Sequence, residues 1–139
     1  MDTLRILYRR EEEVDEALAA DLYRRSGIQR PFEDLGRIRK MIENSNLIFA
    51  AWDGPALVGI ARSLTDFSYA CYLSDLAVDP DYQKHGIGTE LIRLTREAVG
   101  EESMLLLVSA PTAVSYYARV AAQLGMAPQA NAWLIPRRK

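Results

Sequence analysis

The chain reads as a single α/β domain over residues 1–139, a mixed, twisted β-sheet flanked by helices. Three observations carry this reading. Strand-like and helix-like segments alternate through the second half of the chain. The run MLLLVSA at 104–110 is apolar almost throughout, as in a strand covered on both faces. Residues 69–110 form a strand, helix, strand unit, whose two strands lie parallel through a right-handed crossover.

The elements follow in order. LRILY (4–8) has the composition of a short strand. Val14, Ala17, Leu18 and Leu22 recur at helical spacing, and Ser26-Gly27 stops that helix. A second short helix follows Pro31, with Leu35, Ile38, Met41 and Ile42 on one side. NLIFAAWD (46–53) reads as a strand, Asp53-Gly54 as a turn, and ALVGIARSL as the strand that pairs back. RSLTDFSY (62–69) is expected as a loop, and YACYLSDLAV (69–78) as the next strand, closed by DPD. Ile87, Leu91, Leu94 and Ala98 share a face of a helix over 88–99, which Gly100 ends. After the strand at 104–110, Val114, Tyr117, Ala121 and Leu124 align on a helix over 112–124. NAWLIPR is expected as a last strand. Trp52 and Trp133, both in strand-like runs, are expected in the core.

Composition narrows the function. Apolar residues make up 49% of the 139, enough for a buried core and too many for a disordered chain. Lysine plus arginine is 17 and aspartate plus glutamate 19, a net charge of −2, which does not point to nucleic acid or a membrane surface as partner. The basic end Arg137, Arg138 and Lys139 reads as a solvated tail. One cysteine, Cys71, excludes an internal disulfide; within YACYL it reads as a small buried hydrophobe rather than a nucleophile. One histidine is too few for a metal site built on imidazoles, and no metal is expected. MDTLRILYRREEE contains no long apolar stretch, so neither a signal peptide nor a membrane span is expected, and the reducing cytoplasm is the expected compartment.

The most informative stretch is DPDYQKHGIGTEL, residues 79–91. It joins a strand to a helix, at the carboxyl end of the strand, where ligands of such units sit. A helix start leaves about four N–H groups without helical partners and carries roughly half a unit of positive charge, so it attracts phosphate. Gly86 and Gly88 allow close approach, Gln83 and Lys84 can add hydrogen bonds and charge, and Thr89 a hydroxyl. A Walker loop would need Gly-Lys-Ser/Thr, which is absent. A dinucleotide fingerprint would need a third glycine where Leu91 stands. What remains is Gln-x-x-Gly-x-Gly, which by itself also fits a plain tight turn.

YLSDLAVDPDYQKHGIGTELIRLTREA resembles the acetyl-coenzyme A binding core of the Gcn5-related N-acetyltransferase (GNAT) family. The strand ends in an apolar-Ala-Val-x-Pro segment, and Gln83, Gly86 and Gly88 hold the motif positions. The element order is similar over nearly the whole chain. The resemblance implies a GNAT-like fold with splayed parallel strands forming the cofactor cleft. It implies that the backbone of Gln83, Lys84, His85, Gly86, Ile87, Gly88 and Thr89 holds the pyrophosphate of acetyl-CoA, a cosubstrate. The free backbone of Leu76, Ala77 and Val78 would then take the pantetheine arm, and the N–H of Val78 would polarise the thioester carbonyl. His85 otherwise reads as a solvated loop side chain.

The family commonly transfers acetyl directly to a primary amine, and a tyrosine of the last helix commonly protonates the leaving sulfur. SYYARVAAQLGM carries Tyr116 and Tyr117, but Tyr117 lies eight residues before Gly125 where four is usual, about one helical turn more. Tyr117 is the expected acid, with Tyr116 in reserve and a core role for Tyr117 as the competing reading. Strand alternation places Ser74, Leu76 and Val78 on one face and Asp75 and Ala77 on the other. Asp75, an acid in an apolar strand, is either the general base or a structurally paired charge; a water chain is a third route to the base. Phe32, Asp66, Phe67 and Tyr69 are candidates for lining the acceptor site. The acceptor is expected to be a small-molecule amine, with a protein lysine or N-terminus as the alternative. A catalytically inactive coenzyme A sensor is the rival reading, and the family's habits imply a homodimer.

Overall fold

A computed structural model describes residues 5–139. Its nine regular elements are β1 (Leu7–Glu11), α1 (Glu16–Ser26), α2 (Leu35–Glu43), β2 (Leu47–Asp53), β3 (Ala56–Thr65), β4 (Ala70–Val78), α3 (Ile87–Val99), β5 (Met104–Leu106) and α4 (Val114–Leu124). The five strands lie in chain order, β1 to β4 antiparallel and β5 parallel to β4. The parallel pair is the one expected from the strand, helix, strand unit.

The sheet separates two apolar layers. On one side, Leu22 and Tyr23 of α1 and Ile38 and Ile42 of α2 pack on Ile48, Leu57, Ile60 and Ala77. On the other, Ile87, Leu91, Ile92 and Val99 of α3 pack on Phe49, Val58, Ala61, Cys71 and Leu73. Gly59 belongs to this second contact, because a Cβ there would lie 2.9 Å from the Ile87 side chain. Cys71 is buried as expected, and burial pushes its thiol pKa up.

One irregularity decides what β4 presents. Leu73 pairs with Ser63 and Asp75 with Arg62, so Ser74 is an extra residue in the strand, a β-bulge. Cys71 and Leu73 therefore face α3, whereas Asp75 and Ala77 face α1 and α2. Ser74 does not share the face of Leu76 and Val78. Its hydroxyl accepts from Arg62 on the α1 side, at 3.1 Å.

Several boundaries differ from those expected. The first strand is Leu7–Glu11, not 4–8, and residue 4 lies outside the described residues. Asp15 caps α1 by accepting from the N–H groups of Ala17 and Leu18. Val14 is thus outside the helix, and the buried face runs through Ala19, Leu22 and Tyr23 while Ala17 and Leu18 are exposed. β3 extends to Thr65, so the loop is only 66–69. β5 stops at Leu106 and is open on one side, with Met104 57% and Val108 64% exposed. NAWLIPR forms no strand, and Trp133 is 95% exposed rather than in the core. An apolar run of a few residues cannot distinguish a covered strand from an uncovered one, because the difference lies in its neighbours.

Candidate active site

The turn between β4 and α3 is fastened from below. Asp79 accepts from the Asp81 N–H at 2.9 Å and pairs with Arg25 of α1, whose other nitrogen donates to the Leu57 carbonyl at 3.1 Å. Tyr82 donates its hydroxyl to Asp53. Past this anchor the backbone twice turns left-handed, at Lys84 (φ 73°) and Gly86 (φ 74°). Gly86 is the N-cap of α3 and no side chain caps the helix. Its carbonyl accepts from the Glu90 N–H at 3.0 Å, which begins the helical ladder. Among the described residues, no protein group accepts from the N–H groups of Lys84, His85, Gly86, Ile87, Gly88 or Thr89. A Cβ on Gly86 would meet nothing within 4 Å, so no protein atom crowds the outside of the turn at that residue.

A cleft leads away from the turn. β5 pairs with β4 only from Ala70 to Tyr72, and beyond that point the two strands separate. The Asp79 N–H donates to the Val58 carbonyl at 2.8 Å, and Val78 lies opposite Gly59. In an antiparallel ladder this makes Val78–Gly59 a non-hydrogen-bonded pair, so the N–H and C=O of Val78 point away from β3. Two residues earlier, Leu76 does the same. Both therefore offer their backbone to the gap left by β5, while Ala77, between them, bonds to β3 and buries its side chain toward α1.

The two tyrosines of α4 divide their tasks. Tyr117 is half-buried against the α3 layer, and its hydroxyl pKa is pushed up to about 12, first by burial and then by neighbouring Tyr116. Tyr116 stands edge-on to it, ring centroids 5.1 Å apart, and reaches the turn instead. Its hydroxyl lies 3.1 Å from Thr89 Oγ1. An ideal Cβ on Gly88 would sit 2.7 Å from Tyr116 Oη and 3.8 Å from Val78 Cγ2. The second glycine of the motif thus makes room for Tyr116, and the first supplies a left-handed turn.

Asp75 is fully buried and fully engaged. It accepts from Arg62 Nε at 2.6 Å, from Arg30 Nε at 2.5 Å and from the Tyr23 hydroxyl at 2.7 Å. Burial alone would raise its pKa, but the hydrogen bond and charge of Arg62, with the charge of Arg30, outweigh it and hold the carboxyl below its ordinary range. Of the two readings of this residue, the paired charge is the one whose partners are present. Arg30 and Arg62 escaped notice in the sequence. The signal was an arginine among apolar residues in GIARSL, on the strand next to an acid equally out of place.

Beside this cluster lies a cavity of about 580 Å³ between α1, α2 and the middle of β4, lined by Ile28, Phe32, Met41 and Ser74 among others. Phe32 lines it. Asp66, Phe67 and Tyr69 are not among its lining residues. Asp66 spends its carboxylate on the N–H groups of Ala70, Tyr69 and Ser68, which push its pKa down to about 2.

Residues 18–121, well over half of the chain, match the family model of the acetyltransferase (GNAT) domain. An uncharacterised N-acetyltransferase of Prochlorococcus marinus is 29% identical over 87 residues; the match covers 58% of this chain and only about half, 48%, of that relative. A putative acetyltransferase from Deinococcus radiodurans R1 superposes with a TM-score of 0.73 at 24% identity, over 99% of this chain and 92% of that one. The aminoglycoside N-acetyltransferase AAC(6′)-Iy, in complex with CoA, does so with 0.72 at 14%, over 97% and 96%. An aminoglycoside acetyltransferase from an uncultured soil metagenomic sample, in complex with sisomicin, gives 0.69 at 22%, over 96% and 97%. At these identities the structural likeness is one of fold. With the family model over residues 18–121, the chain belongs to the GNAT acetyltransferase family.

Proposed function

We propose that the protein transfers acetyl from acetyl-CoA to a small-molecule primary amine by direct attack, within one ternary complex. The carrying observation is the run of unpartnered N–H groups from Lys84 to Thr89 at the mouth of the β4–β5 cleft. A pyrophosphate fits there, at the positive end of α3, with the Lys84 ammonium and Gln83 beside it. His85 contributes its backbone. The pantetheine arm then runs along β4 toward Ser74, taking the backbone groups of Val78 and Leu76 that the cleft exposes. Ala77 lies between the two without donating to the arm.

Ser74 lines the acceptor cavity, so the acetyl group is to be sought near it. The N–H of Leu76, roughly 7 Å deeper than that of Val78 at ~3.4 Å per residue, is the nearer donor to the thioester carbonyl. We therefore assign the oxyanion contact to Leu76 in place of Val78. The neutral amine nitrogen bonds to the acetyl carbon, the carbon–sulfur bond breaks, the nitrogen gives up its extra proton to water, and the thiolate takes a proton from a tyrosine that water then reprotonates. Of the α4 pair, Tyr116 has its hydroxyl at the mouth of the cleft, 3.1 Å from Thr89 Oγ1, while Tyr117 packs against the α3 layer, and we assign the acid role to Tyr116 rather than Tyr117. Asp75 already accepts from Tyr23, Arg30, Arg62 and, at 3.4 Å, the Ser74 hydroxyl, and is not the base. Neither carboxylate nor imidazole lines the cavity among the described residues, so the ammonium proton leaves to water.

Titration calorimetry with acetyl-CoA tests the reading. Wild type is expected to bind, and Gly86→Val to bind at least tenfold more weakly, because a β-branched residue strains the left-handed turn that aims the donors. Equal affinities would remove the turn from the binding site. Release of free thiol in the presence of amines separates the enzyme from a coenzyme A sensor.

A further inference from the structure

The acceptor cavity is lined by six cationic side chains, Arg24, Arg30, Arg37, Arg62, Arg137 and Lys139, and by no acid. The chain as a whole carries a net charge of −2, so this concentration is local. Three nearby carboxylates are already committed, while Glu33, which lines the adjoining pocket with Arg30 and Phe32, has no partner among the described residues. Asp75 serves two guanidinia at once. Asp21 pairs with both Arg24 and Arg25. Asp34 caps α2 through the Arg37 N–H at 3.0 Å. Among the described residues, no side-chain carboxylate pairs with Arg37, Arg137 or Lys139. The Arg37 guanidinium instead donates to the Lys139 carbonyl at 3.3 Å, which holds the basic end of the chain at the cavity. Clustered cations repel one another, and a concave wall concentrates their field on whatever enters.

Resting on the acetyl-transfer reading above, we propose that the acceptor is an amine that also carries an anion, a carboxylate or a phosphate. Its amino group lies toward Ser74 and the thioester. Its anionic group is held at the outer wall by Arg37, Arg137 and Lys139, with Phe32 and Met41 against the carbon skeleton between. A volume of about 580 Å³ suits a small molecule. Polycationic acceptors are disfavoured by the same wall.

The test uses matched pairs of amines that differ only in the anion: amino acids against their carboxamides, and phosphoethanolamine against ethanolamine. Thiol release from acetyl-CoA is followed for each, with a cationic aminoglycoside as a further arm. The anionic member of at least one pair is expected to have a kcat/KM about tenfold or more above its neutral partner. Arg37→Gln is expected to erase most of that ratio through KM, leaving kcat near wild type. The carboxylate and phosphate pairs tell the two sources apart. Neutral or cationic amines turned over as well as anionic ones would overturn the proposal. A second readout does not need turnover: inorganic phosphate, at constant ionic strength and with coenzyme A saturating, should raise the Tm of wild type and not of Arg37→Gln. If phosphate does so while no amine is acetylated, the anion site stands and the transfer reading fails. If phosphate leaves both proteins unchanged and no anionic amine is preferred, the anion site fails, whether or not coenzyme A binds.

Discussion

Asp75→Ala is expected to destabilise the protein by about 3–5 kcal/mol, the largest effect of any single substitution near the site. The alanine leaves Arg62, itself buried, and Arg30 without their shared counter-charge, and it leaves the Tyr23 hydroxyl without an acceptor. Urea unfolding measures the loss; a change below about 1 kcal/mol would mean the cluster relaxes without cost. Asp75→Asn keeps the shape and removes the charge, and should recover only part of the difference. The same carboxylate gives the stability a pH dependence of known sign. Its folded pKa lies below the unfolded one, near 3.9. Its contribution is therefore complete above that unfolded value and is lost as the pH falls through the folded pKa. Between pH 6 and pH 3 the wild type should lose more of its urea midpoint than Asp75→Asn does.

Tyr116→Phe is expected to lower kcat for acetyl transfer by about 10²-fold, within the range for loss of a positioned general acid. Affinity for acetyl-CoA should stay within about threefold, because the ring remains and only the hydroxyl beside Thr89 goes. Tyr117→Phe is expected to change kcat by less than about threefold, since its side chain packs against the α3 layer. Thiol-release kinetics on the two variants decide between the tyrosines. A larger defect in Tyr117→Phe would return the acid role to that residue and require α4 to rotate when acetyl-CoA binds.

The tyrosine pair shows what periodicity can and cannot read. The stripe Val114, Tyr117, Ala121 and Leu124 was legible, and membership of that stripe is what places Tyr117 against the core. The neighbour one position off the stripe, turned about 100° around the helix, is the one that reaches the turn at Gly88 and Thr89. The strand, helix, strand unit and the turn at 83–89 were legible because their signals are local: apolar period, glycine spacing, a proline after the strand. Gln83, Gly86 and Gly88 could be placed on the turn before any coordinates. The reason for Gly88 could not, because it depends on Tyr116, 28 residues away. The same holds for Arg30 and Arg62 around Asp75, for the short β5 and for the exposed Trp133. Each is set by contacts between segments far apart in sequence, and no window along the chain contains both partners.

The bulge at Ser74 has a consequence for how this strand tolerates change. Deleting one residue from a central strand normally turns every following side chain to the wrong face. Here the ladder already skips Ser74: Leu73 opposes Ser63 and Asp75 opposes Arg62, adjacent partners on β3. Removing Ser74 would restore regular alternation and leave Asp75, Leu76, Ala77 and Val78 opposite the same partners as before. What would disappear is the carbonyl that accepts from Arg30 at 2.7 Å and the hydroxyl that accepts from Arg62. In this strand, an in-frame deletion is the gentlest way to take away part of the cavity wall while keeping the sheet, and Ser74 is a position where length variation is compatible with the fold.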